Sequence, residues 1–108
     1  MMAQSFRTEN GYNPSIMQTD LTRCYLCGRS CEKLDRHEVF HGPFRQKAKR
    51  AGLWVMLCHE RCHIFGPMAV HRNRDVDLML KQEAQRRAMD YYGLTTDDFI
   101  REFSKNYL

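Results

Sequence analysis

Apolar positions are scattered through the first twenty residues, gather into short runs in the middle of the chain, and take up helical spacing only towards the C-terminus. The middle runs are Val39-Phe40 and Leu53 to Leu57, bounded by Gly42-Pro43 and Gly52, which predicts two short strands joined by a long basic connection and paired as a twisted hairpin. After Cys58, the stretch HERCHIF predicts a short helix ended by Gly66-Pro67. From Asp75 to Tyr92, Val76, Leu80, Ala84, Ala88 and Tyr92 recur at i, i+4, the mark of an amphipathic helix, with Gly93 placed to stop it. Thr95 or Thr96 then caps a last helix whose Phe99, Ile100 and Phe103 form a buried stripe, while Asp97 and Asp98 suit its N-terminal dipole.

These elements predict an α+β chain in three parts. Residues 1–20, polar and without periodicity, read as a flexible N-terminal arm; residues 21–74 as a small module; residues 75–108 as a helical buttress. A hairpin and one short helix bury little apolar surface, so such a module needs a staple, and a metal ion is the natural one.

Composition supplies the ligands. The chain has 108 residues and five Cys. With neither a secretory leader nor an apolar run long enough for a bilayer span, it reads as one cytoplasmic domain without membrane contact. In that compartment Cys beside His points to metal before disulfides. Cys24-Tyr-Leu-Cys27-Gly28 is a C-x2-C knuckle, and Cys58 and Cys62 form a C-x3-C pair. Four thiolates satisfy a structural Zn²⁺. Cys31 is left spare, although Cys31 or His59 can substitute if Cys62 or Cys58 does not bind.

Charge follows the same block. Residues 1–20 carry net −1, residues 21–74 net +7 and residues 75–108 net −2. The densest cationic stretch holds Arg45, Lys47, Lys49 and Arg50 without an acidic neighbour, and Arg36 lies just upstream. A polyanion such as DNA, held by its phosphate backbone, is the implied partner. Tyr25 and Phe44 are candidates for stacking on bases, whereas Trp54 lies in an apolar strand and reads as core.

All five histidines, His37, His41, His59, His63 and His71, fall inside this block too. Taken in order, CYLCG at 24–28, RHEVFHG at 36–42, GLWVMLC at 52–58, CH at 62–63, VHRN at 70–73 and NYL at 106–108 resemble the HNH endonucleases, the ββα-metal group, and most closely the small HNH-type proteins of bacteriophages. The resemblance covers residues 21 to 108. It implies a zinc-stapled ββα-metal module with a C-terminal pair of helices, and hydrolysis of DNA phosphodiesters with a second, catalytic ion, Mg²⁺, Mn²⁺, Ni²⁺ or Zn²⁺, in an open site.

Carried over position by position, the family's dyad falls on His37, which would bind that ion, and on Glu38, where the family has its water-activating His. His63, just after the fourth thiolate, would complete the grip, with His71 or His59 as third imidazole. Glu38 departs from the family's pattern and leaves three roles open: Glu38 as base, Glu38 as a further ligand, or His41 as base in its place. Leu53 stands near the place of the family's Asn. The activity implied is nonspecific or structure-directed cleavage, acting with other phage proteins in the host cytoplasm. The alternative is a zinc-stapled nucleic-acid-binding accessory in phage recombination or packaging that has given up turnover, which the Glu38 departure favours; a purely protein-binding role is the third reading.

Overall fold

The computed structural model describes residues 11–108. The architecture is α+β: a two-stranded antiparallel hairpin of β1 (Leu34–Glu38) and β2 (Trp54–Cys58), followed by two helices at the C-terminus. The strands pair Leu34 with Cys58, His37 with Val55 and Glu38 with Trp54. β2 reads WVMLC and buries all but Met56. β1 reads LDRHE, of which only His37 is buried. The first strand thus lies upstream of the Val39-Phe40 run that predicts it. Val39 adds one bond to Leu53 O at 3.0 Å, and Phe40 turns into the helical core. β1 lacks an apolar signal because three of its five residues carry charge and a fourth is histidine.

The basic connection is partly helical, with α1 at Arg45–Ala51. Gly52 ends it at φ 74°. A side chain there would also strike the main chain of the N-terminal segment, since an added Cβ would lie 2.3 Å from Pro14 O. That close approach shows what residues 11–18 do. Asn13 N and Ile16 N donate to Lys49 O and Gly52 O, Trp54 Nε1 donates to Asn13 O, and Tyr12 and Met17 are buried. The first half of the predicted arm lies outside the described residues; in the second half three apolar residues, Tyr12, Ile16 and Met17, too few to show periodicity, dock on the hairpin and its connection.

After β2 the chain makes a π-type turn, His59–Ile64, in which Phe65 N bonds Glu60 O across five residues at 2.8 Å. It then doubles back: Val70 N donates to Cys62 O and His71 N to His63 O. Helix α2 (Arg74–Tyr92) starts at Asn73, whose side chain accepts from the amides of Asp75 and Val76, and ends at Gly93 with φ 68°. It buries Val76, Leu80, Ala84 and Ala88 as the i, i+4 pattern requires. Helix α3 (Thr96–Phe103) opens on a reciprocal capping box between Thr95 and Asp98.

Phe99 and Phe103 of α3 stack at 4.9 Å and meet Phe40 at 5.8 and 4.8 Å. Complete burial of rings of this size contributes about 1.5–3 kcal/mol each. The terminal residues are tied back through buried Gln85, which donates to Asn106 Oδ1 and accepts from Tyr107 N, both at 2.8 Å. Among the described residues, no helix is long and apolar enough to cross a membrane.

Candidate metal centres

Two ligand clusters form at the hairpin, and the π turn feeds both. The first is sulfur. The knuckle closes through Gly28 N to Cys24 O at 2.9 Å with Gly28 at φ 74°, which lets Cys27 N reach Cys24 Sγ at 3.4 Å. Cys58 at the end of β2 and Cys62 in the π turn complete the set, all four sulfurs lying within 4.8 Å of one another. Burial opposes ionisation of Cys24, but amides of Cys27, Cys58 and Leu26 and the Cys62 thiol outweigh it and hold Cys24 below the usual thiol range. Burial pushes Cys62 up to about 12, with the hydrogen bonds and negative charge of Cys24 and Cys27 adding to it. Four sulfurs so close cannot all ionise without a cation among them, and a tetrahedral zinc is the cation that this donor set fits.

Cys31 is not spare. It is bridged to Cys58, with Cα atoms 5.6 Å apart. A thiolate on zinc and a bridge to Cys31 are alternatives for Cys58, so the four-thiolate site belongs to the reduced chain.

The second cluster is imidazole. His37 from β1, His63 from the π turn and His71 from the returning loop bring one nitrogen each within 4.8 Å of the others. His63 Nε2 and His71 Nε2 are 3.1 Å apart. His37 is 3% exposed and its Nε2 is buried without a hydrogen-bond partner. Burial pushes His37 down to about 3, with His63, His71, His41 and Lys81 adding to it, and burial lowers His71 as well. Clustered imidazoles with an orphaned nitrogen fit a divalent ion.

The two candidates for third imidazole separate here. His71 joins His37 and His63, whereas His59 turns to Asp35, 2.6 Å from its Oδ2. Asp35 Oδ2 also meets His63 Nδ1 at 2.8 Å. Burial works against the Asp35 anion, but hydrogen bonds from His59 and His63 outweigh it and hold the carboxyl below its usual range.

Strand alternation sorts the dyad. Asp35 and His37 share one face of β1; Arg36 and Glu38 share the other. Glu38 accepts from the Tyr12 hydroxyl and pairs with Arg45 Nε at 3.1 Å. It belongs to none of the metal-ligand groups found among the described residues. His41 is exposed, its ring 5.5 Å from that of His37, and a nitrogen of it groups with His37 and Asp77.

The imidazoles open onto a cleft of about 500 Å³ that Tyr12, Arg36, Glu38, His41 and Arg45 also line. Arg36 stacks over Tyr12 at 4.6 Å and Trp54 at 5.1 Å. The other predicted cations of α1 stand outside the cleft: Lys47 donates to Glu102 O at 2.8 Å, Lys49 lies 4.6 Å over Tyr12, and Arg50 is exposed. Tyr25, a candidate for stacking, donates to Glu83 at 2.5 Å, and Trp54 is core.

Sequence reasoning missed Asp35, Tyr12 and Asp77. Asp35 carries a legible signal, an acid two residues before His37 on a strand; Tyr12 and Asp77 carry none, being brought in by tertiary contact. Comparison with protein-family models, curated proteins and solved structures finds no match. Residue chemistry therefore describes the chain: a ββα-type module with a sulfur cluster and an imidazole cluster suited to metal, the latter overlapping two carboxylate-containing groups, Asp35–His59–His63 and His37–His41–Asp77.

Proposed function

We propose that this protein is a metal-dependent endonuclease of the HNH type, of the small phage kind, hydrolysing phosphodiester bonds in DNA without sequence specificity or in response to DNA structure. The observation that carries it is the orphaned, buried Nε2 of His37, grouped with His63 and His71 at the floor of an open, arginine-lined cleft. A structural domain gains nothing from three imidazoles clustered beneath a cleft beyond its sulfur staple. In this reading residues 21–74 are the working module and 75–108 its buttress, and the chain acts on DNA in the host cytoplasm.

His37, His63 and His71 hold the divalent ion, whether Mg²⁺, Mn²⁺, Ni²⁺ or Zn²⁺. When bound, that ion supplies a Lewis acid for a phosphate oxygen and for the leaving 3′ oxygen. Arg36 and Arg45 engage the phosphodiester, and Lys47, Lys49 and Arg50 extend the positive field to flanking phosphates. His41, at the mouth of the cleft with its imidazole accessible, takes the proton of the attacking water. Glu38 holds Arg45 in place, because its two oxygens are already engaged by Tyr12 and Arg45.

The test is cleavage of supercoiled plasmid by the purified chain with EDTA or each of the four ions, beside His37→Ala, His41→Ala and Glu38→Ala. Metal-dependent nicking that is lost in His37→Ala and His41→Ala, but persists at reduced rate in Glu38→Ala, is the expected result. A folded protein that cuts neither plasmid, branched nor single-stranded DNA would instead be the accessory DNA-binding module, the reading that the engaged Glu38 favours.

A further inference from the structure

Asp35 has no part in the chemistry above, yet both imidazoles of the π turn converge on its single oxygen Oδ2, His59 Nδ1 at 2.6 Å and His63 Nδ1 at 2.8 Å. A hydrogen bond at one ring nitrogen decides what the other can do. In a neutral His63, Nδ1–H given to Asp35 leaves Nε2 as the lone-pair atom, and that is the atom 3.1 Å from His71 Nε2. Asp35 also stands two residues from His37 on the same face of β1, so one strand fixes both a ligand and the partner of another ligand.

We infer that Asp35 is a positioning residue of the imidazole centre, setting the tautomer and ring orientation of His63, and that His59 braces the same carboxylate instead of ligating the ion. This rests on the divalent-ion site proposed above. Removing an outer partner of a ligating imidazole weakens metal affinity by roughly 10- to 100-fold, and that is the expected size here.

The probe is Ni²⁺ alone, titrated calorimetrically into the zinc-loaded full chain. Wild type takes up one further equivalent, and Asp35→Ala binds it roughly 10- to 100-fold more weakly with its zinc retained. Asp35→Asn, whose amide oxygen can still accept from one Nδ1–H, falls between them, and is the variant to read should Asp35→Ala lose its fold. Long-range ¹H–¹⁵N spectra report the tautomer, with His63 protonated at Nδ1 in wild type and shifted towards Nε2 in Asp35→Ala.

Equal Ni²⁺ affinity in the variants, an unchanged His63 tautomer, or no uptake by wild type beyond the zinc site overturns the assignment. So does an extra equivalent abolished by His59→Ala, which would seat the ion on Asp35, His59 and His63 themselves. Failure of the nuclease reading looks different: Asp35-dependent Ni²⁺ uptake without cleavage of any DNA keeps the positioning role and removes the enzyme.

Discussion

The sulfur and imidazole clusters are built from nearly the same pieces and end up with opposite characters. Cys58 and Cys62 serve one, His63 serves the other with His59 hydrogen-bonded to the same Asp35 carboxylate, and the two i, i+4 pairs are offset by a single residue. Cys58 ends β2 and His59 opens the π turn, and Cys62 and His63 are neighbours within it, so at each place the change of one residue sends adjacent side chains to different sites. The sulfurs are inaccessible apart from part of Cys27, and four of them leave no position open, so the donor set is that of a structural ion. The imidazoles number three, with His71 exposed and a cleft above them, so an ion held there would keep positions open. One turn can therefore carry both the staple and the site it holds rigid.

The comparison breaks most visibly if the sulfur cluster is not what holds the module together. Binding free energies of structural zinc run to about 10–16 kcal/mol, more than a chain of this size has to lose. Cys24→Ser or Cys27→Ser should therefore abolish the cooperative melt and the dispersed amide spectrum, with zinc lost by metal analysis. A variant that stays folded without zinc would move the stabilising role to the phenylalanine core alone.

The next effect in size separates the two sites. His37→Ala should lower plasmid cleavage by about 100-fold or more while one zinc stays bound and the circular dichroism is unchanged. Loss of zinc and fold together in that variant would mean that the two clusters are a single structural unit.

Legibility in the sequence follows the same division. The Cys knuckle, the C-terminal helices and their caps could be read because thiol spacing and i, i+4 periodicity are local patterns. β1 could not, because LDRHE places candidate site residues on both faces and so offers no apolar alternation. The choice between His59 and His71 was equally closed, since it turns on His71 N bonding His63 O after the chain reverses. Tyr12 and Met17 pack against the hairpin from a segment whose composition speaks only of a loose arm.

A pH titration sharpens the contrast further. His37 is pushed down to about 3 by its burial, with the neighbouring imidazoles and Lys81 adding to it, against an unfolded value near 6.5. A depressed imidazole contributes stability that is fully present above the unfolded pKa and is lost as pH falls, because the unfolded chain takes up the proton first. Between pH 7 and pH 5, wild type should lose about 1–2 kcal/mol that His37→Gln does not. Urea midpoints of the two proteins, each carrying one equivalent of zinc for the sulfur site and no further divalent ion, give that difference; parallel profiles would mean His37 is wetter than its 3% exposure.

The smallest expected effect decides the membership of the sulfur site. Cys31 and Cys58 are bridged, and a bridged Cys58 has no thiolate to give. In a reducing buffer Cys58 is released to Cys24, Cys27 and Cys62, and Cys31, only partly buried, is left with no ion to hold. Cys31→Ser should then keep one zinc per chain and a stability within about 0.5 kcal/mol of wild type, as for a surface substitution. Zinc lost from that variant would make Cys31 a ligand and displace Cys58 or Cys62 from the set. The Cys58–Cys62 pair across the end of β2 and the π turn would then no longer belong whole to the staple, and the one-residue offset that separates the sites would lose half of its basis.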